Sequence, residues 1–88
     1  MRLSAHLPNM HDLKIDPQYF EAVKAGIKRA ELRYNDRNFK AGDYLALHEY
    51  DREKGEYTGR IHHARITHVC DVGEWLSGYV MLSIDIDF

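Results

Sequence analysis

The chain has little of what would assign it to an oxidising compartment, a membrane or a disordered class. Its 88 residues hold one cysteine, Cys70, so no internal disulfide can form, and such usage fits a reducing cytoplasm. Cys70 itself reads as a small buried hydrophobe. There are only two prolines, with no internal repeat, low-complexity tract or linker. No apolar run approaches the roughly 20 residues that cross a bilayer. The opening "MRLSAHLPNM" lacks the apolar segment of a secretory signal. Excess positive charge is also missing. At a net charge of -2 the chain is not one that coats nucleic acid indiscriminately, a mode that depends on summed positive charge.

What is present is a segregation of charge. Between Lys24 and Lys40 lie six of the twelve Lys and Arg residues, against two acids, Glu31 and Asp36. That window therefore carries +4, and the remainder of the chain carries -6. A composition of 44% hydrophobic and 30% charged residues is otherwise that of a globular domain.

The hydrophobic pattern predicts one domain over residues 10–88, preceded by a flexible extension over 1–9, with Met10 as an alternative start. "HDLKI" alternates, with His11, Leu13 and Ile15 on one face, and reads as a strand. Asp16-Pro17 signals a helix start, the carboxylate capping free N–H groups and Pro supplying a pre-set φ. Phe20, Val23 and Ile27 then form an apolar helical stripe, ended by Gly26 in the left-handed conformation. "AELRYN" alternates Ala30, Leu32 and Tyr34 against Glu31, Arg33 and Asn35. "DYLALHEY" is a strand with Leu45 and Leu47 inward. "DREKGEYTG" reads as a polar hairpin loop using Gly55 and Gly59. "RIHHARITHVC" is the longest strand, and "YVMLSIDIDF" places Val80, Leu82, Ile84 and Ile86 on one face. Five strands and one early helix predict an α+β fold, a small curled sheet or barrel with the helix packed at one end.

The leading candidate site groups Lys28, Glu31 and Arg33, with Lys14, Arg29 and Arg37 around them. Glu31 and Arg33 emerge on one face of a strand, about 7 Å apart. Lys28 stands where the helix hands over to that strand. Guanidinium groups pair with phosphate or stack on a base, and a carboxylate among cations accepts a base amine or takes a proton. The plain alternative is a solvated polar face with a weak ion pair, and on residue physics alone it is the stronger reading. Among the aromatics, Trp75 and Tyr79 are the better stacking candidates, set against ordinary half-buried packing. The six histidines do not form a ligand set: His62 and His63 point to opposite faces, and His68 shares a face with His62 but lies roughly 20 Å away. No metal and no cofactor is expected. Nucleophile elbows and phosphate-cradling glycine loops are also missing.

Taken in order, "HDLKI", "P-YF-AV-G-K", "E-R-NDR-F", "GD-L-L-E", "GEYTGR" and "GYVMLSI" resemble the bacterial and phage domains known as DUF3850, over about Met10 to Ile84. That family in turn is similar to the ASCH domains of the PUA-like superfamily, through "G-x-K-x-x-E-x-R" and the "GD" that opens the next strand. The resemblance implies a PUA-like five-stranded β-barrel with a helix beside it and a cleft suited to RNA or a nucleotide. It carries the motif Lys onto Lys28, the acid onto Glu31 and the Arg onto Arg33. Some ASCH relatives act as hydrolases on modified cytidine or as nucleases. In an enzyme, Lys28 and Glu31 would be the catalytic pair. Amidohydrolase-type members have Thr at the position of Glu31 and a later helical insert for which this chain has no room. The resemblance lifts a cytoplasmic RNA- or nucleotide-binding module, using Lys14, Lys28, Glu31, Arg33, Arg37, Trp75 and Tyr79, above the plain reading. A small hydrolase is the alternative, and a protein-interaction domain using "YDREKGEYTGR" a second.

Overall fold

The computed structural model describes residues 7–86. Strand β1 (Met10–Ile15) leads into helix α1 (Pro17–Lys24), followed by β2 (Ala30–Tyr34), β3 (Tyr44–Asp51), β4 (Glu56–Asp71) and β5 (Tyr79–Asp85). The five strands form one curled sheet in the order β1-β3-β4-β5-β2. Only β1 and β3 are parallel; the other neighbours are antiparallel. The α+β expectation of five strands and one helix therefore holds. Of the expected extension, residues 1–6 lie outside the described residues. Asn9 is bonded into the fold: its N–H donates to Asp43 Oδ1 at 3.1 Å, and its carbonyl accepts the Tyr44 N–H at 2.8 Å.

Alternation set the core as read. Leu13 and Ile15 of β1, Leu45 and Leu47 of β3, Ala64 and Ile66 of β4, and Val80, Leu82 and Ile84 of β5 all face inward, with Phe20 and Val23 of α1 packed on them.

The helix differs from expectation at both ends. Asp16 occupies the cap position in an extended conformation, but its carboxylate makes no cap bond. It accepts instead from Arg52 Nε at 2.6 Å. At the other end, the Gly26 N–H donates to the Val23 carbonyl and the Ile27 N–H to the Ala22 carbonyl, both at 2.9 Å. This Schellman closure needs the left-handed φ of +76° that Gly26 supplies. Because it stops the helix after Lys24, Ile27 leaves the apolar stripe and is 80% exposed.

Two irregularities in β4 correct the other readings. Between the paired positions His48/Ile61 and Tyr50/Tyr57, two steps on β3 face four on β4. Gly59, with φ +92°, lies in that excess. The segment read as a long polar loop is thus a short turn and a strand beginning at Glu56, with Gly59 at a bulge. A second shift falls between Ile66 and His68. A one-residue slip flips side-chain parity, so Val69 turns to the core and Cys70 to solvent. The expectation of a buried Cys70 fails for this reason. His68 likewise loses the face it was read to share with His62, which packs on Phe20 with ring centroids 6.1 Å apart.

Candidate nucleic-acid interface

Strand β2 inverts the ordinary rule. Its apolar residues Leu32 and Tyr34 are 46% and 57% exposed, while Glu31 is 4% exposed. The register explains it: Glu31 is paired with Leu82 and Arg33 with Val80, both core-facing positions of β5. The polar face of β2 is therefore turned into the mouth of the curled sheet.

A buried carboxylate needs partners, and Glu31 has them on both oxygens. Lys28 Nζ donates to Oε2 and also to the Ala30 carbonyl. Arg33 donates to Oε1 from Nε at 3.1 Å and from Nη2 at 2.8 Å. The Schellman turn delivers Lys28 to this point, its own N–H held by the Ala22 carbonyl at 3.0 Å. Lys28 and Arg33 keep about a quarter of their side chains in solvent, so the cluster is a fixed carboxylate presenting two cations outward.

The cations also join the two edges of the sheet. Arg33 Nη2 reaches the Lys14 carbonyl of β1 at 2.7 Å, and Arg37 Nη1 reaches the Asp12 carbonyl. The free edge of β1 would otherwise expose those acceptors. Two clefts meet at this seam. One of about 620 Å³ is lined by Asp12, Leu13, Lys14, Arg33, Arg37, His48 and Tyr57. Another, of about 290 Å³, includes Tyr19, Lys28, Glu31 and Arg52, and shares Lys14 and Arg33 with the first. The structure thus brings Lys14, Lys28, Glu31, Arg33 and Arg37 to one continuous groove. Trp75 and Tyr79 belong elsewhere. Tyr79 lines a separate cleft beside Tyr34 and Gly78, and Trp75 stands 78% exposed between β4 and β5.

Sequence reasoning ranked Trp75 and Tyr79 above Tyr57, the tyrosine that lines the larger cleft. Tyr50 is paired across the hairpin with Tyr57, their rings 5.0 Å apart, and His48 meets Tyr57 at 6.0 Å. Lys14 Nζ sits 4.2 Å from the centre of the Tyr50 ring. Confining the turn to Asp51–Gly55 would have exposed this pairing.

Two further ion clusters tie together elements outside the groove. Arg60, re-aimed by the Gly59 bulge, donates to Glu49 from Nε and Nη2 at 2.9 Å each, to Glu21 on α1, and lies 4.5 Å over the Phe20 ring. Hydrogen bonds from Arg60 and Thr58 hold the Glu49 carboxyl down at about 2. Asp43, fully buried, accepts from the Asn9 and Lys40 N–H groups and pairs with His11 Nε2 at 2.9 Å. Burial pushes its carboxyl up, but these bonds outweigh burial and leave it lowered. Among the described residues no group of three or more His, Cys, Asp or Glu side chains is placed to hold a metal ion, and no helix is long and apolar enough to cross a membrane.

A family model described as "Domain of unknown function (DUF3850)" matches residues 10–84, a span that contains the whole groove. The chain is also 46% identical over 76 residues to the "Uncharacterized 12.9 kDa protein in GpA 3'region" of Escherichia phage P2, covering 86% of this chain and 68% of the phage protein. A match across nearly the full length, together with that level of identity, makes the chain a member of the DUF3850 family.

Proposed function

We propose that this curled sheet is a PUA-like domain of the ASCH kind, and that it binds RNA or a nucleotide in the groove at the β1/β2 seam. The observation that carries this reading is the composition of the larger cleft. Lys14, Arg33 and Arg37 line it against a single acid, Asp12, in a chain of net charge -2. A concentration of cations in a concave site focuses an attractive field on phosphate. Arg37, bonded to the Asp12 carbonyl and paired with Asp36, and Lys14, seated on the Tyr50 ring, are the cations of this cleft that Glu31 does not hold. Lys28 and Arg33 contribute charge from positions that Glu31 fixes, so Glu31 acts as a positioning residue rather than a reader of bases.

The same geometry supports binding over hydrolysis. Both Glu31 oxygens are engaged by Lys28 and Arg33, so three of the carboxylate's roughly four acceptor positions already serve to hold the two cations.

The test is fluorescence anisotropy with short single-stranded RNAs across a salt series. Lys14→Ala and Arg37→Ala are each expected to weaken binding about tenfold and to flatten the salt slope by about one unit. Unchanged affinity and slope in both variants would overturn the proposal. Turnover of N-acylated nucleosides, detected by mass spectrometry and lost in Lys28→Ala, would favour the hydrolase instead.

A further inference from the structure

We infer that the exposed face of Tyr57 is a stacking subsite for an unpaired nucleobase, placed so that the phosphate attached to that base falls to Arg37 and Lys14. This inference rests on the nucleic-acid reading above and names the part of the ligand that the basic residues do not hold.

The β3–β4 hairpin carries three rings in contact. Tyr50 meets Tyr57 at an interplanar angle of 74°, and His48 meets it at 73°. Both neighbours press their edges or planes against Tyr57 nearly at right angles, so neither covers it flat. Lys14 lies over both tyrosines, but much closer to one of them. The face of Tyr50 is taken by the Lys14 ammonium at 4.2 Å, whereas the same ammonium is 5.7 Å from the centre of Tyr57. Tyr57 remains 54% exposed and lines the larger cleft with Arg33 and Arg37. An exposed aromatic ring in a basic cleft, held by its neighbours and without a stacked partner among the described residues, is the arrangement on which bases of single strands settle.

The surroundings favour a base over an aliphatic group. His48 is anchored by Asp12, its Nε2 at 2.8 Å from Oδ1, and places a polar edge beside the ring. Lys14 adds positive charge next to the stack, complementary to a base whose phosphate lies along the seam. The tyrosines sit at paired positions on the turn side of the Gly59 bulge, so the platform is held by the hairpin and little ordering entropy opposes stacking.

Three ligands distinguish the sources of such a base. They are an oligoadenylate of about eight nucleotides, an abasic oligomer of the same length and charge, and adenosine monophosphate. The full chain is expected to bind oligoadenylate about tenfold more tightly than the abasic oligomer. Tyr57→Ala should erase that difference without changing the salt slope, and Tyr57→Phe should keep it. Equal affinity for the two oligomers, or an undiminished preference in Tyr57→Ala, overturns the inference while leaving the phosphate-binding reading intact. No binding of either oligomer, with the mononucleotide bound and weakened in Tyr57→Ala, retains the subsite and assigns it to a free nucleotide. Failure of all three ligands to bind overturns both readings.

Discussion

Arg33 spans the seam of the sheet to the Lys14 backbone carbonyl, an Nη2-to-oxygen distance of 2.7 Å. One guanidinium thereby holds a buried carboxylate on its own strand and replaces a strand partner for β1, the opposite edge. Structural closure and positive charge in the groove come from the same side chain.

Arg33→Lys separates the two roles, because lysine keeps the charge but lacks the planar fork. The variant is expected to lose about 1–2 kcal/mol of stability, from the bonds to Glu31 and to the Lys14 carbonyl. Urea denaturation measures the loss. Hydrogen exchange should locate it in the amides at the end of β1, with the β4–β5 amides following only the global change.

Glu31→Gln removes the shared anion and leaves Lys28 and Arg33 facing each other. Breaking a buried pair costs roughly 3–5 kcal/mol; with both cations a quarter exposed, solvent screening reduces the expectation to about 2 kcal/mol. Combining it with Lys28→Met should recover part of that loss, since one uncompensated charge goes with it. A double-mutant cycle in denaturant reads the coupling.

Acid stability depends on Glu49. Its folded-state pKa, about 2, lies below the ordinary 4.5, so the stabilisation it contributes is fully present above about 4.5 and is lost as pH falls toward about 2. Thermal melts through this window should show falling Tm. Glu49→Gln is expected to be less stable at neutral pH and to show a shallower acid decline. The decline should not vanish, because Asp43 is also lowered and loses its contribution in the same direction.

The helix stop is testable at Gly26. Nothing lies within 4 Å of where a Cβ would stand, so the cost of a substitution comes from the φ of +76°. Gly26→Ala is expected to lose about 1 kcal/mol and Gly26→Asn less, because Asn tolerates the left-handed region. Gly78→Ala should cost more. Its φ of +82° is joined by a Cβ position 2.5 Å from Tyr34 Cε1. Equilibrium denaturation of the three variants gives the ranking.

Much of this architecture was legible from local pattern. The alternation of His11, Leu13 and Ile15, and of Val80, Leu82 and Ile84, identified inward faces because period-two patterning has one solution when a sheet buries one side. Gly26 marked the helix end, since few other residues adopt its φ. The Lys28, Glu31 and Arg33 grouping followed from a turn feeding a strand. The groove's aromatics were not legible, because Tyr50 and Tyr57 meet only through a hairpin register that the Gly59 bulge shifts. Cys70 was misplaced for the related reason that one extra residue near Thr67 reverses every side chain after it.

The sequence by itself determined the inward faces of β1, β3 and β5, the helix bounds at Asp16-Pro17 and Gly26, and the concentration of cations after α1, because these depend on neighbours a few residues apart. Only the tertiary structure decided that the polar face of β2 turns inward, that its arginine closes the seam with β1, and that Lys14, Tyr50 and Tyr57 share one wall. Each of these depends on which strands become the edges of the sheet, and that is settled by pairing over the whole chain.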